Sequence, residues 1–136
     1  MADEKMWIAG EWCASSDGAT SEALNPANGE VLATVPKATV EDVNRCVDAS
    51  RAAFESRGWK AMDPAQRGRI LNKIAAVTYA QAKELAALES ANNGKTFREA
   101  LSEIRYGAWT FEYFAGLSDK IEGSTIPAPG SRLNYT

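Results

Sequence analysis

The chain has 136 residues, a formal net charge of −3 and no histidine. The weak negative net charge excludes a sequence-wide cationic field of the kind that holds nucleic acid or an anionic membrane. The absence of histidine excludes Ser-His or Cys-His nucleophiles and His-ligated metals within the chain. Apolar residues make up 45% of the sequence, but 24 residues are alanine, so we expect a thin, helical core that is incomplete without a partner surface.

The cysteine pattern and the N-terminus predict a cytoplasmic protein. Cys13 and Cys46 are far apart and form no Cys-x-x-Cys motif, which is typical of a reducing compartment. The stretch Met1–Lys5 is polar and no apolar run follows it, so it does not resemble a signal peptide. No segment approaches the roughly 18 apolar residues of a membrane span.

The first 36 residues predict β-hairpins. Two short apolar runs flank Gly10, and a turn cluster follows at 15–18. The pair Asn28-Gly29 between two apolar segments predicts a second hairpin with a type I′ turn, and Pro36 should end its last strand.

The middle of the chain predicts helices. Thr39, with Asp42 three residues later, forms a capping box for a first helix that should close at Gly58. Cys46 lies at the edge of the apolar face of this helix and is expected to be a small core residue. That face carries Val40, Val43, Val47 and Phe54.

Asp63-Pro64 starts a second helical region, with a break expected near 78–81 and a glycine cap at Gly94. The run Asn93–Thr96 is similar to the end of a phosphate-binding loop. Glu89, however, occupies the position of the other required glycine, which favours a helix cap.

A last helix is predicted over 97–121, with apolar residues on two opposite faces. The aromatic residues of the second face lack the interleaved Lys and Arg of a base-stacking surface, so we interpret them as packing residues that await another domain or subunit. The tail 123–136 predicts a strand, a Pro-Gly turn and a second strand. The first apolar face of the helix predicted over 97–121 consists of Phe97, Leu101, Ile104, Ala108, Phe111 and Ala115, and the second of Tyr106, Trp109, Tyr113, Leu117 and Ile121.

These residues alone describe an α+β segment without a self-contained active site, but their order resembles the N-terminal region of the NAD(P)-dependent aldehyde dehydrogenase family. The matching stretches are 8–12, 25–35, 41–43, 52–54, Trp59, 67–71, 85–90, 93–95, 113–127 and 135–136. The resemblance implies an α/β parent in which N-terminal β-hairpins precede three to four helices and a C-terminal strand pair. Residues 1–136 would be the N-terminal segment of the cofactor-binding domain, with 124–136 entering the oligomerisation arm.

The resemblance also implies a function. The parent would oxidise a small-molecule aldehyde to a carboxylic acid with NAD or NADP as a homo-oligomer, through a cysteine thiolate, an oxyanion hole and a glutamate base. None of those residues, and no cofactor-binding residue, falls in this region, so this chain alone is expected to be inactive and without a cofactor. Cys13 and Cys46 do not match the nucleophile's motif.

One family site does fall here, a monovalent-cation site. By position it would use the Ala23 or Leu24 carbonyl and the side chain of Asn92, where the family has an acidic residue. The alternative is that Asn92 only forms a hydrogen bond near a helix end. A second function also stays open, a non-catalytic interaction or oligomerisation module derived from the same family.

Overall fold

A computed structural model describes residues 2–136; Met1, part of the polar stretch 1–5, lies outside the described residues. The N-terminal third forms small sheets from strands β1 (Ala2–Asp3), β2 (Met6–Ile8), β3 (Glu11–Cys13), β4 (Thr20–Leu24) and β5 (Val31–Pro36). The remainder is mainly helical: α1 (Val40–Glu55), α2 (Arg57–Lys60), α3 (Pro64–Ala80), α4 (Ala82–Asn93) and α5 (Phe97–Leu117). A pair of two-residue strands, β6 (Thr125–Ile126) and β7 (Asn134–Tyr135), closes the order. The predicted α/β class is confirmed.

Both predicted hairpins form, with different turns. Strands β2 and β3 pair across Ala9-Gly10, where both residues have positive φ, as a type I′ turn requires. In the hairpin β4–β5 only Gly29 has a positive φ, so the predicted type I′ turn is wrong. Its longer loop closes on the carbonyl of Asn25, which accepts from the Gly29 N–H at 2.7 Å. The sequence did not predict β1, which pairs in parallel with β5.

The helix starts follow the predicted caps. Thr39 and Asp63 each form a capping box, and Gly94 ends α4 with a φ of 82°. The predicted break near 78–81 is Gln81, between α3 and α4.

Two predicted helix ends are wrong. Helix α1 ends at Glu55 rather than Gly58, because Ser56 turns to an extended conformation and caps the short α2. Helix α5 ends at Leu117 rather than at residue 121, because both the N–H and the hydroxyl of Ser118 bind the carbonyl of Ala115.

The core is thin and alanine-packed, as predicted. Helix α5 packs mainly against α3 and α4, and of the seven buried apolar residues in the described part of the chain, six are alanines. Much larger apolar side chains stay exposed, including Val40, Val43, Val47 and Phe54 of α1. The six buried alanines are Ala75, Ala82, Ala86, Ala100, Ala108 and Ala115.

Candidate functional site

Two of the residues expected at the cation site share one cavity. A cavity of about 400 Å³ between the β4–β5 sheet and the end of α4 is lined by Ala23 and Asn92, together with Glu4 and Glu89 among others. Leu24, the next residue of β4, lies outside this lining and is half exposed. The side chain of Asn92 is exposed near the end of α4.

The carboxylate nearest Asn92 in sequence is already engaged. Glu89 Oε1 accepts from Asn93 Nδ2 at 2.6 Å and pairs with Lys95 Nζ at 3.2 Å. Lys95 also pairs with Glu103, and the hydrogen bonds to Glu103 and then Glu89 raise the pKa of Lys95. Gly94 therefore places Lys95 in an ionic cluster between α4 and α5, and the helix-cap interpretation of Asn93–Thr96 is confirmed.

Over residues 2–136, neither thiol is hydrogen-bonded to a carboxylate that could serve as its base. Cys13 Sγ lies 3.6 Å from the carbonyl of Met6, and Arg45 Nη2 donates to it at 3.5 Å. Cys46 is exposed, so its prediction as a core residue is wrong. The reason is that α1 packs mainly against β2 and α2, which leaves its apolar face open. Over residues 2–136, no group of three or more His, Cys, Asp or Glu side chains is placed to hold a metal ion.

A buried carboxylate fixes the turn at 15–18 to the start of α1. Asp42 is 1% exposed, and its Oδ2 accepts from the backbone N–H groups of Thr39 at 3.0 Å and Ser16 at 3.1 Å. These two hydrogen bonds, in that order, lower the pKa of Asp42 from 3.8 to about 2. Arg45 pairs with the other oxygen at 3.2 Å. The capping box predicted the bond from Thr39, whereas the bond from Ser16, far earlier in the chain, has no local signal.

The aromatic side chains of α5 form a continuous exposed row. Ring centroids are 5.4 Å apart for Tyr106 and Trp109, 5.8 Å for Trp109 and Tyr113, and 5.4 Å for Tyr113 and Phe114. All four side chains are about half exposed or more. The second apolar face predicted for this helix therefore has no cover within residues 2–136.

Another cavity, which is mainly apolar and which the sequence did not predict, lies between α2, α3 and the end of α5. It has a volume of about 350 Å³ and contains one cationic group, that of Arg67. The guanidinium stacks on the ring of Trp59 at 4.6 Å from its centroid, and Nη2 donates to the Trp59 carbonyl at 3.0 Å. Its lining is Trp59, Arg67, Ile70, Leu71, Phe114, Ser118 and Ile121.

No helix among the described residues is long and apolar enough to cross a bilayer.

The comparisons with known proteins agree on one family. The model of the aldehyde dehydrogenase family matches residues 12–136. The chain is 43% identical to a (Z)-2-((N-methylformamido)methylene)-5-hydroxybutyrolactone dehydrogenase of Acinetobacter baylyi, over 93% of this chain and 26% of that protein. It is 41% identical to the mitochondrial aldehyde dehydrogenase family 2 member B4 of Arabidopsis thaliana, over 97% of this chain and 25% of that protein.

The solved structures extend this likeness to three dimensions. The NAD⁺ complex of an aldehyde dehydrogenase from Bacillus cereus superposes with a TM-score of 0.91 at 40% identity, over 98% of this chain and 27% of that one. The chain thus spans about a quarter of the length of the relatives it matches. The chain belongs to the aldehyde dehydrogenase family.

Proposed function

We propose that this chain is the N-terminal part of an enzyme that oxidises an aldehyde to a carboxylic acid with NAD or NADP. Within it, residues 1–136 would start the cofactor-binding domain and 124–136 would enter the arm that joins subunits of a homo-oligomer. The activity is supported by the family, and the cofactor by the NAD⁺ complex of the Bacillus cereus relative. The two free thiols, Cys13 and Cys46, agree with a cytoplasmic location.

The observation that carries this proposal is the exposed area. A folded monomer of 14.7 kDa has a surface of about 6,900 Å², whereas this chain exposes 10406 Å². The excess, about 3,500 Å², is more than one partner of an ordinary obligate interface buries. Such an area fits coverage by the remaining three quarters of a single large enzyme better than coverage by one docked protein.

The role we assign to this chain is structural rather than chemical. Among the described residues no hydrogen bond joins either thiol to a carboxylate, and the most perturbed carboxylate, Asp42, is fully used in joining the N-terminal turn to α1. The nucleophile, the oxyanion-hole side chain and the base would therefore come from the rest of the enzyme. The aromatic row of α5 would become an internal packing surface.

We also propose that the cavity beside Asn92 takes a monovalent cation. The support is that Ala23 and Asn92 line one cavity with Glu89, although Leu24 is outside it. Amide and carbonyl oxygens are suitable ligands for such a hard cation, but Glu89 shares its charge with Lys95. Unfolding temperatures in potassium and in tetramethylammonium chloride at equal ionic strength, for the chain and for Asn92→Ala, test the site. If potassium raises the unfolding temperature of the unmodified chain and of Asn92→Ala by the same amount, the cation site is contradicted.

The activity is tested with a chimera in which residues 12–136 replace the matching segment of the Bacillus cereus enzyme. We expect the chimera to reduce NAD with an aldehyde at a rate within about tenfold of the parent, followed by the absorbance of the reduced nicotinamide. The chain alone should show no turnover. A chimera that folds and assembles but is inactive would favour the alternative, a non-catalytic interaction module.

A further inference from the structure

The cavity between α2, α3 and the end of α5 is lined by one positively charged side chain, Arg67, which has no counter-charge within the described residues. Of the Lys and Arg residues in 2–136, only Lys95 and Arg67 are partly buried. Lys95 pairs with Glu89 and Glu103. Arg67 has no carboxylate partner within the described residues, and its Nε is buried without an acceptor there.

The surroundings hold this guanidinium in place without neutralising it. The ring of Trp59 stacks against it, and the Trp59 carbonyl takes one N–H at 3.0 Å. The other walls of the cavity are mostly aliphatic or aromatic, and three of them, Ile70, Phe114 and Ile121, are 42%, 55% and 90% exposed. These are surfaces that a covering segment would bury.

From this geometry we infer that the cavity receives a segment of the remaining polypeptide that brings a carboxylate to Arg67 between apolar side chains. The inference rests on the proposed function, because the cover is the rest of the same enzyme. Covering this partly buried arginine without an anion would leave an uncompensated charge in an apolar site. A planar guanidinium fixed by stacking is also preorganised for a carboxylate.

The test compares three substitutions in the chimera and in the isolated chain. Arg67→Met keeps the aliphatic stem and removes the charge, Arg67→Lys keeps the charge, and Arg69→Met removes an exposed charge on the same helix as a matched control. In the chimera we expect Arg67→Met to lower the unfolding temperature by about 5 °C or more and Arg67→Lys to lower it less, because only methionine leaves a buried carboxylate unpaired. Arg69→Met should change it by about 1 °C or less in both proteins.

In the isolated chain, which lacks the covering segment, Arg67→Met should lower the unfolding temperature by less than in the chimera, because only the stacking on Trp59 and the hydrogen bond to its carbonyl are lost. A chimera crystal structure should show an Asp or Glu oxygen within hydrogen-bond distance of the Arg67 guanidinium. If the chimera folds and is active but Arg67→Met is as stable as Arg67→Lys, the inference is wrong while the proposed function stands. If the chimera with Arg67 intact does not assemble, both fail.

Discussion

Gly68 of α3 and Ser118 at the end of α5 approach so closely that no side chain fits at residue 68. A Cβ built on Gly68 would lie 2.4 Å from Ser118 Oγ and 2.8 Å from the carbonyl oxygen of Ala115. Gly68 is buried and has no positive φ, so the requirement for glycine here is steric. Ser118 is held at this position by the hydrogen bond from its hydroxyl to the carbonyl of Ala115.

Gly68→Ala should therefore destabilise the chain even though alanine favours a helix. The clash involves a backbone oxygen, so α3 or α5 has to move, and we expect a loss of about 1–3 kcal/mol in the free energy of unfolding. Gly116→Ala is the matched control, because a Cβ there meets nothing within 4 Å. That substitution should add about 0.5–1 kcal/mol. Urea unfolding of both variants measures the difference; equal changes would show that the helices separate easily.

Asp42 should make the stability depend on pH below 4. Its pKa is about 2 in the folded chain and 3.8 as an ordinary value, so the folded state favours the charged form. The stabilisation is complete above pH 3.8 and is lost as the pH falls towards 2. Asp42→Asn should lower the unfolding temperature by roughly 5 °C at pH 6, and the gap to the unmodified chain should close by pH 2. A gap that is constant with pH would mean that the charge is not what stabilises the turn.

Cys46 should react with a thiol reagent in the folded chain. Cys46 is exposed on α1, whereas Cys13 is half buried and its thiol donates a hydrogen bond to the carbonyl of Met6. We expect the Cys13→Ser variant, which keeps Cys46, to be modified rapidly without denaturant, and the Cys46→Ser variant to be modified more slowly. Cys46→Ser should change the free energy of unfolding by about 0.5 kcal/mol or less, as for a surface position. Protection of Cys46 until denaturation would show that α1 is covered.

Local chemistry made much of this fold predictable. The capping boxes at Thr39 and Asp63 and the glycine cap at Gly94 depend on residues within one turn, and each forms. Cys46 was wrongly predicted because helical periodicity identifies an apolar face but not whether anything packs on it. The bond from Ser16 to Asp42 depends on a contact between distant parts of the chain, which no spacing encodes.

The candidate cation site was only partly predictable, for a different reason. Family resemblance named Ala23 or Leu24 together with Asn92, and of these residues Ala23 and Asn92 line one cavity. It could not show that Glu89 would be shared with Lys95 and Asn93, because that pairing depends on where Gly94 directs the chain. The cavity at Arg67 has no sequence signal, since Trp59 lies in α2, Arg67 in α3 and Ile121 beyond the end of α5.

The aromatic row of α5 leads to the last prediction, that the isolated chain self-associates. Trp109 is 49% exposed at the centre of the row, between Tyr106 and Tyr113. A contiguous exposed aromatic patch is an association surface, because removing it from water is favourable by about 25 cal/mol per Å². The short β6–β7 pair is exposed as well and adds unpaired strand edges.

Light scattering over a concentration series should show a mass that rises above 14.7 kDa. Trp109→Glu should shift this rise to at least about tenfold higher concentration, because it places a charge at the centre of the contact. Glu112→Gln, on the same helix and outside the row, is the control and should leave the series unchanged. In the chimera, where the rest of the enzyme would cover α5, Trp109→Glu should instead lower the unfolding temperature. A chain that is monomeric at every concentration, with or without the charge, would show that the row is tolerated in water.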